Sequence, residues 1–179
     1  MLAMATNAHA GFFAEPMVGY TAGALSQAGV PAVSSQAFIL GGRLGYRWNK
    51  VNFGADYSMG FGTGSQFGNK GEYRPTDIGA FLGYALPLNL NVYGSYFVVS
   101  KAKIQPNENP AGFSGQSFRA GLGWSGLGIC SIHFEGIYRI YSKYGGSSMN
   151  KALRGMTLGA SVSIPFPRSR KASSASTAK

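Results

Sequence analysis

Chemistry in this chain would have to start from very few groups. There are two histidines, His9 and His133, one cysteine, Cys130, and six acids, four of which, Glu15, Asp56, Asp77 and Glu135, lie inside runs that alternate apolar with polar residues. Hydrolysis or acyl transfer needs a nucleophile and a base within hydrogen-bond reach. His133, two residues before Glu135, is the one histidine inside such a run, and membership of a polar network suits it better than catalysis. No catalytic residue is assigned. A single cysteine excludes an intramolecular disulfide and a cysteine-based metal cluster, so neither a metal site nor a cofactor is expected. The remaining pattern is electrostatic. Arg43, Arg47, Arg119 and Arg139 fall on the same side of the alternation as the four acids. Isolated buried charges are costly whereas paired, hydrogen-bonded ones are tolerated, so these residues with His133 are expected to form one interior charge network. Glu15 and Asp56 would flank Arg43 and Arg47, and Arg119 would face Glu135.

Such a network needs elements that turn alternate residues to one side. The period-two pattern reads as eight strands: Phe12 to Ala22, Phe38 to Trp48, Val51 to Phe61, Asp77 to Leu86, Leu90 to Ser100, Gln116 to Trp124, Ile129 to Tyr141 and Arg154 to Phe166. Positions 78 to 100 carry no charge and would pass a length test for a membrane helix, but Pro87, Asn89 and Asn91 with three glycines break it into a strand pair around a tight turn. Connections alternate in length. Short turns fall at Asn49-Lys50, Pro87 to Asn89 and Ser125-Gly126, and longer polar loops are expected near 23 to 37, 62 to 76, 101 to 115 and 142 to 153. Pro16 lies inside the first strand and cannot donate to a ladder, so a bulge or an unpaired carbonyl is expected there.

Which face is outside decides the environment. A soluble eight-stranded barrel would keep apolar residues inside. Here the charges share a face with glycine: Gly41, Arg43, Gly45 and Arg47 alternate with Leu40, Gly42, Leu44, Tyr46 and Trp48, and Asn52, Gly54, Asp56 and Ser58 alternate with Val51, Phe53, Ala55, Tyr57 and Met59. An apolar outer face suits lipid, and an eight-stranded barrel is too narrow to leave an open lumen among large side chains. Inward glycines are expected to make room for Arg and Glu. Outward Tyr46, Trp48, Tyr84 and Trp124 would mark one membrane interface, and Tyr20, Phe38, Phe61 and Tyr138 the other. The expected fold class is therefore an all-β, eight-stranded, antiparallel up-and-down transmembrane β-barrel.

Composition agrees. The chain has 179 residues, 45% hydrophobic and only 12% charged, which is poor in charge for an ordinary soluble surface. Its net charge of +10 is dispersed, with no basic helix and no zinc-finger spacing, and nucleic acid is not an expected partner. Residues 1–10 run into Ala8-His9-Ala10 and read as a residual signal-peptide segment, residues 11–166 as the barrel, and residues 167–179 as a basic disordered tail.

Gly11-Phe12-Phe13-Ala14-Glu15-Pro16, Leu44-Gly45-Tyr46, Asp77-Ile78-Gly79-Ala80-Phe81-Leu82-Gly83-Tyr84, Val92-Tyr93-Gly94-Ser95-Tyr96-Phe97 and a final strand ending in Phe166 resemble the OmpA/OmpX-like superfamily of small outer-membrane barrels, most nearly the short barrels of predatory Gram-negative bacteria. The resemblance implies an integral outer-membrane protein delivered by a signal and folded by the barrel-assembly machinery. In such proteins the last strand normally ends the chain with an aromatic residue, whereas thirteen residues follow Phe166 here. Partners would be outer-membrane lipid and lipopolysaccharide, and a monomer is expected. A structural or surface-interaction role through the external loops is expected ahead of a narrow channel for small solutes. Lys70, Arg74, Lys101, Lys103, Lys143, Lys151 and Arg154 gather at the expected outer end, where lipopolysaccharide phosphates would meet them.

Overall fold

In a computed structural model that describes residues 10–66, 69–105, 112–127 and 129–166, the chain forms one closed antiparallel barrel of eight strands. These are β1 (Gly11–Gln27), β2 (Val30–Trp48), β3 (Val51–Gln66), β4 (Asn69–Ala85), β5 (Leu90–Gln105), β6 (Phe113–Trp124), β7 (Ser131–Tyr144) and β8 (Ser147–Ser163). Each strand pairs with its neighbours in sequence, and β1 closes on β8 from Met17↔Ser163 to Ser26↔Arg154. Apart from Ala10, the expected signal segment lies outside the described residues, as does the expected tail at 167–179.

The tight turns follow from local chemistry. Asn49 takes a left-handed backbone, φ 56°, which Asn tolerates better than most residues, and lets Trp48 pair with Val51. At the other end of the barrel Gly145 and Gly146, with φ of 58° and 87°, close a two-residue hairpin between Tyr144 and Ser147.

The strands run further than the sequence pattern indicates. β2 is 19 residues long, against the roughly 9–11 that span a bilayer. The segments expected as long loops are therefore largely strand: Gly23 to Gln27 pairs with Val30 to Ser35, and Glu72 to Thr76 with Lys101 to Gln105. The reason lies inside. Beyond the charged zone the barrel continues around an apolar core of Leu25, Val33, Ala37, Ile39, Tyr73, Ala102, Tyr141 and Leu153, against which Phe113 and Met149 pack. Burying that core holds the hairpins together as barrel wall.

Pro16 produces no bulge. The β1–β2 register is unbroken from Gly11↔Arg47 to Leu25↔Val33, and the Pro16 carbonyl accepts from the Ile164 N–H at 3.1 Å. The donor that proline lacks faces Ile164, just past the end of β8. Two residues on, Phe166 and Ala14 exchange two backbone hydrogen bonds at 2.7 and 2.8 Å and seal the seam. The inward glycines also differ in use from expectation. A Cβ on Gly41, Gly45, Gly79 or Gly155 would meet a carbonyl oxygen of the adjacent strand, and one on Gly121 would meet the Tyr93 ring. Most of these glycines let backbones approach closely; they do not make way for arginine.

Candidate functional site

The barrel presents three zones that could act: an ionic core, an outer collar and a hollow at the short-turn end. The ionic core begins with Glu15 on β1, whose carboxylate accepts from the Ser163 hydroxyl at 2.7 Å and lies 3.6 Å from Arg43 and 3.4 Å from His133. Arg43 on β2 meets Asp56, its direct cross-strand neighbour on β3, at 3.3 Å, and its guanidinium stacks 3.7 Å from the Tyr93 ring centroid. Asp56 also accepts from Ser95 at 2.6 Å and from Arg119 at 3.4 Å. Arg119 in turn donates to Ser58 at 2.8 Å and lies 3.6 Å from Glu135, too far for a hydrogen bond; Glu135 takes its hydrogen bond from the Tyr93 hydroxyl at 2.9 Å.

One level further out, Arg139 donates to Asp77 at 2.9 Å and to Thr157 at 2.8 Å, while Ser100 and Ser117 both donate to the other Asp77 oxygen. Asp56, Asp77, Arg43, Arg119 and Arg139 are all at most 2% exposed. The apolar core of Leu25, Val33 and Tyr73 lies beyond this level along the barrel.

Arg47 departs from the expected network. It meets no carboxylate among the described residues; its Nε donates to Asn52 at 2.8 Å and its guanidinium carbon lies 5.5 Å from the Phe13 ring centroid. Two inward positions along β2 toward the turn, past Gly45, it sits beyond the reach of Glu15 and Asp56. Seven members escape a search for charge: Ser58, Tyr93, Ser95, Ser100, Ser117, Thr157 and Ser163. For six of them the signal is parity, since each occupies an inward strand position, whereas Ser100 is turned inward by a bulge in β5.

Ser163, His133 and Glu15 supply the residue types of a hydrolytic triad without its wiring. The Ser163 oxygen is 2.7 Å from His133 Nε2, but Glu15 approaches that same nitrogen and accepts from the serine, while His133 Nδ1 is buried without a partner among the described residues. A relay needs the carboxylate on Nδ1, where it orients the ring and stabilises the imidazolium.

The outer collar holds Lys70, Arg74, Lys101, Lys103, Lys143, Lys151 and Arg154, all exposed and all on strands, not on the loops expected for them. Two bulges decide where three of the lysines point. On β5, Tyr93, Ser95 and Phe97 face inward; the register then shifts between Phe97 and Ser100, so that Ser100 and Ala102 face inward and Lys101 and Lys103 outward. On β7 the shift between Tyr141 and Lys143 turns Lys143 outward in the same way. Lys101 and Lys143 end up on either side of Ser114 of β6, with Lys103 opposite Arg74 of β4. Arg74 is paired with exposed Glu72.

Below the collar the outer wall is apolar. Leu44, Leu82, Val98, Phe134 and Leu158 are each more than 60% exposed, a surface that water would not tolerate as a continuous band. Tyr20, Phe38 and Phe61 stand in one cross-strand row, as do Tyr96, Phe118 and Tyr138. The Tyr20 and Tyr96 hydroxyls reach outward to Gln36 at 2.8 Å and Gln116 at 2.6 Å, with their rings on the greasy side and their oxygens on the polar side, as at a lipid–water interface.

A closed barrel with this inside-out wall is an integral transmembrane β-barrel of the bacterial outer-membrane type. Solved structures agree on the fold. Neisserial surface protein A superposes with a TM-score of 0.58 at 16% identity, covering 87% of this chain and 98% of that one. Ail, the attachment invasion locus protein of Yersinia pestis, in complex with the heparin analogue sucrose octasulfate, superposes with a TM-score of 0.61 at 13% identity, covering 87% and 99%. These are small outer-membrane barrels, as the OmpA/OmpX-like resemblance implies. No protein-family model matches the chain, and no curated protein matches it.

Proposed function

We propose that this barrel works as a closed, non-enzymatic surface protein whose basic collar holds lipopolysaccharide phosphates at the outer membrane face. The observation that carries this reading is the outward turn of Lys101, Lys103 and Lys143 beyond the aromatic row, with Lys101 and Lys143 two outward positions past Phe118 along β6, where they stand without a covering acid among the described residues. That height suits phosphates whose acyl chains lie against the aromatic row and the apolar wall. Ammonium groups serve as point-charge phosphate ligands there. A barrel of this fold can carry a polyanion, as Ail does with its heparin analogue.

The closed ladder leaves no free strand edge, which supports a monomer that folds through the barrel-assembly machinery. The packed axis opposes a channel. Charge reversal of Lys101 and Lys103 to Glu should weaken association with lipopolysaccharide vesicles and leave the heat-dependent gel shift of a folded barrel intact; unchanged association would overturn the reading. Planar bilayers bearing the purified chain should show no conductance steps, and discrete steps would restore the narrow channel.

A further inference from the structure

At the end opposite the collar the interior is not filled. A cavity of about 440 Å3 opens between the short turns, and the stack of Arg43 on Tyr93 forms part of its lining. That volume is in the range of small-molecule sites. The lining divides by chemistry. Arg47, Asn52, Asn91 and Ser131 supply polar groups, and Phe13 and Phe81, which meet edge to face at 5.7 Å, supply an apolar wall.

The charges within it are unequal in their commitments. Glu15, the one acid in the lining, is engaged by Ser163 at 2.7 Å, His133 at 3.4 Å and Arg43 at 3.6 Å. Arg43 is held by Glu15 and Asp56. Arg47 is half-buried and meets no carboxylate among the described residues, and its Nε bond to Asn52 fixes the plane of its guanidinium beside the Phe13 ring. A guanidinium oriented in this way, half-buried beside an apolar wall, recognises a planar anion with two parallel hydrogen bonds. Gly83, between Asn52 and Tyr93, widens the recess: a Cβ there would lie 3.8 and 3.5 Å from those side chains and would take up the space.

We propose that this vestibule is a binding site for a small organic carboxylate entering from the short-turn side, its carboxylate on Arg47 and its apolar body against Phe13 and Phe81. The site is independent of the collar, being at the other end of the barrel, so either assignment can fail alone. The basic residues of segment 167–179, which follows the vestibule's Pro165, make the chain's own tail a poor occupant by charge.

Benzoate and its uncharged match benzamide are suitable probes, titrated onto the full chain in uncharged detergent and followed by amide NMR. Benzoate should shift the side-chain signals of Arg47, Asn52 and Asn91 saturably, and benzamide should not. Arg47→Gln should weaken benzoate by about tenfold or more, the scale of a lost charge-assisted pair, and Arg47→Lys should recover part of it. Equal shifts from both probes would mark a merely greasy hollow and overturn the proposal. So would an absence of shifts, or an Arg47→Gln chain that binds as tightly as the parent. Should Arg47→Gln fail to show the gel shift of a folded barrel, the contrast between benzoate and benzamide on the parent chain decides.

Discussion

The belt and the collar are built from the same eight strands and obey opposite rules. In the belt, Leu44, Leu82 and Leu158 face out while Arg43, Asp56 and Asp77 face in; in the collar, Lys70, Lys103 and Lys151 face out while Leu25, Val33 and Leu153 face in. The aromatic rows mark where one rule gives way to the other. The wall is continuous across this line, so backbone hydrogen bonding does not distinguish the two regions. Solvent does. Hydrocarbon outside demands apolar side chains there, and water outside restores the ordinary hydrophobic core. In the belt the interior is mixed, and matched ionic and hydroxyl groups share it with the buried Met17, Phe97 and Ile137.

The largest difference should appear when an ion pair is broken in each region. Asp56→Ala leaves Arg43 and Arg119 buried without their shared carboxylate and should cost about 3–5 kcal/mol in urea unfolding from lipid vesicles. Glu72→Ala removes the partner of exposed Arg74 and should cost under about 1 kcal/mol in the same assay. Comparable losses would contradict the assignment of Asp56 to the shielded axis.

A smaller effect is expected from the collar's own core. Leu25→Ala, at a position with no exposed surface, should cost about 3 kcal/mol and open the β1–β2 hairpin to protease before the belt unfolds. Equal protease resistance of mutant and parent would argue that the outer extension does not depend on this cluster.

Comparable or slightly smaller should be the effect of charge on the outer wall. Leu82→Arg in the belt should destabilise by about 2–4 kcal/mol, whereas Gln36→Arg, just beyond the Tyr20 hydroxyl, should stay within about 0.5 kcal/mol of the parent. Similar penalties at the two positions would move the interface line. The least effect belongs to Lys101→Glu with Lys103→Glu, which should leave stability within about 0.5 kcal/mol and change only lipopolysaccharide association.

The belt was legible in the sequence because lipid enforces strict alternation over ten or so residues, as from Phe38 to Trp48. The collar was not. Its strands carry small and polar residues, as in Ala32-Val33-Ser34-Ser35-Gln36, which read as loop, and its inward residues are apolar just where the belt's are charged. The bulges are equally hidden: strict period two continued along β5 would turn Lys101 and Lys103 into the barrel. Parity brought the acids and arginines to one side, but which acid meets which arginine depends on strand stagger. Arg47 and Arg43 look equivalent in sequence, yet four residues toward the turn take Arg47 out of the ionic core and into the vestibule. Ser163 and Tyr93 were overlooked because a hydroxyl in a strand carries no signal until its neighbours are known.

Lipids carrying a spin label at mid-acyl chain test the inversion most directly, through the loss of amide NMR signal they cause in the full-length barrel reconstituted in nanodiscs. Residues Leu44, Tyr57, Leu82 and Leu158 should lose intensity strongly, while Gln36, Lys101, Lys143 and Lys151 should keep theirs. Equal attenuation along the whole length of the strands, or attenuation centred on the lysines, would contradict the account.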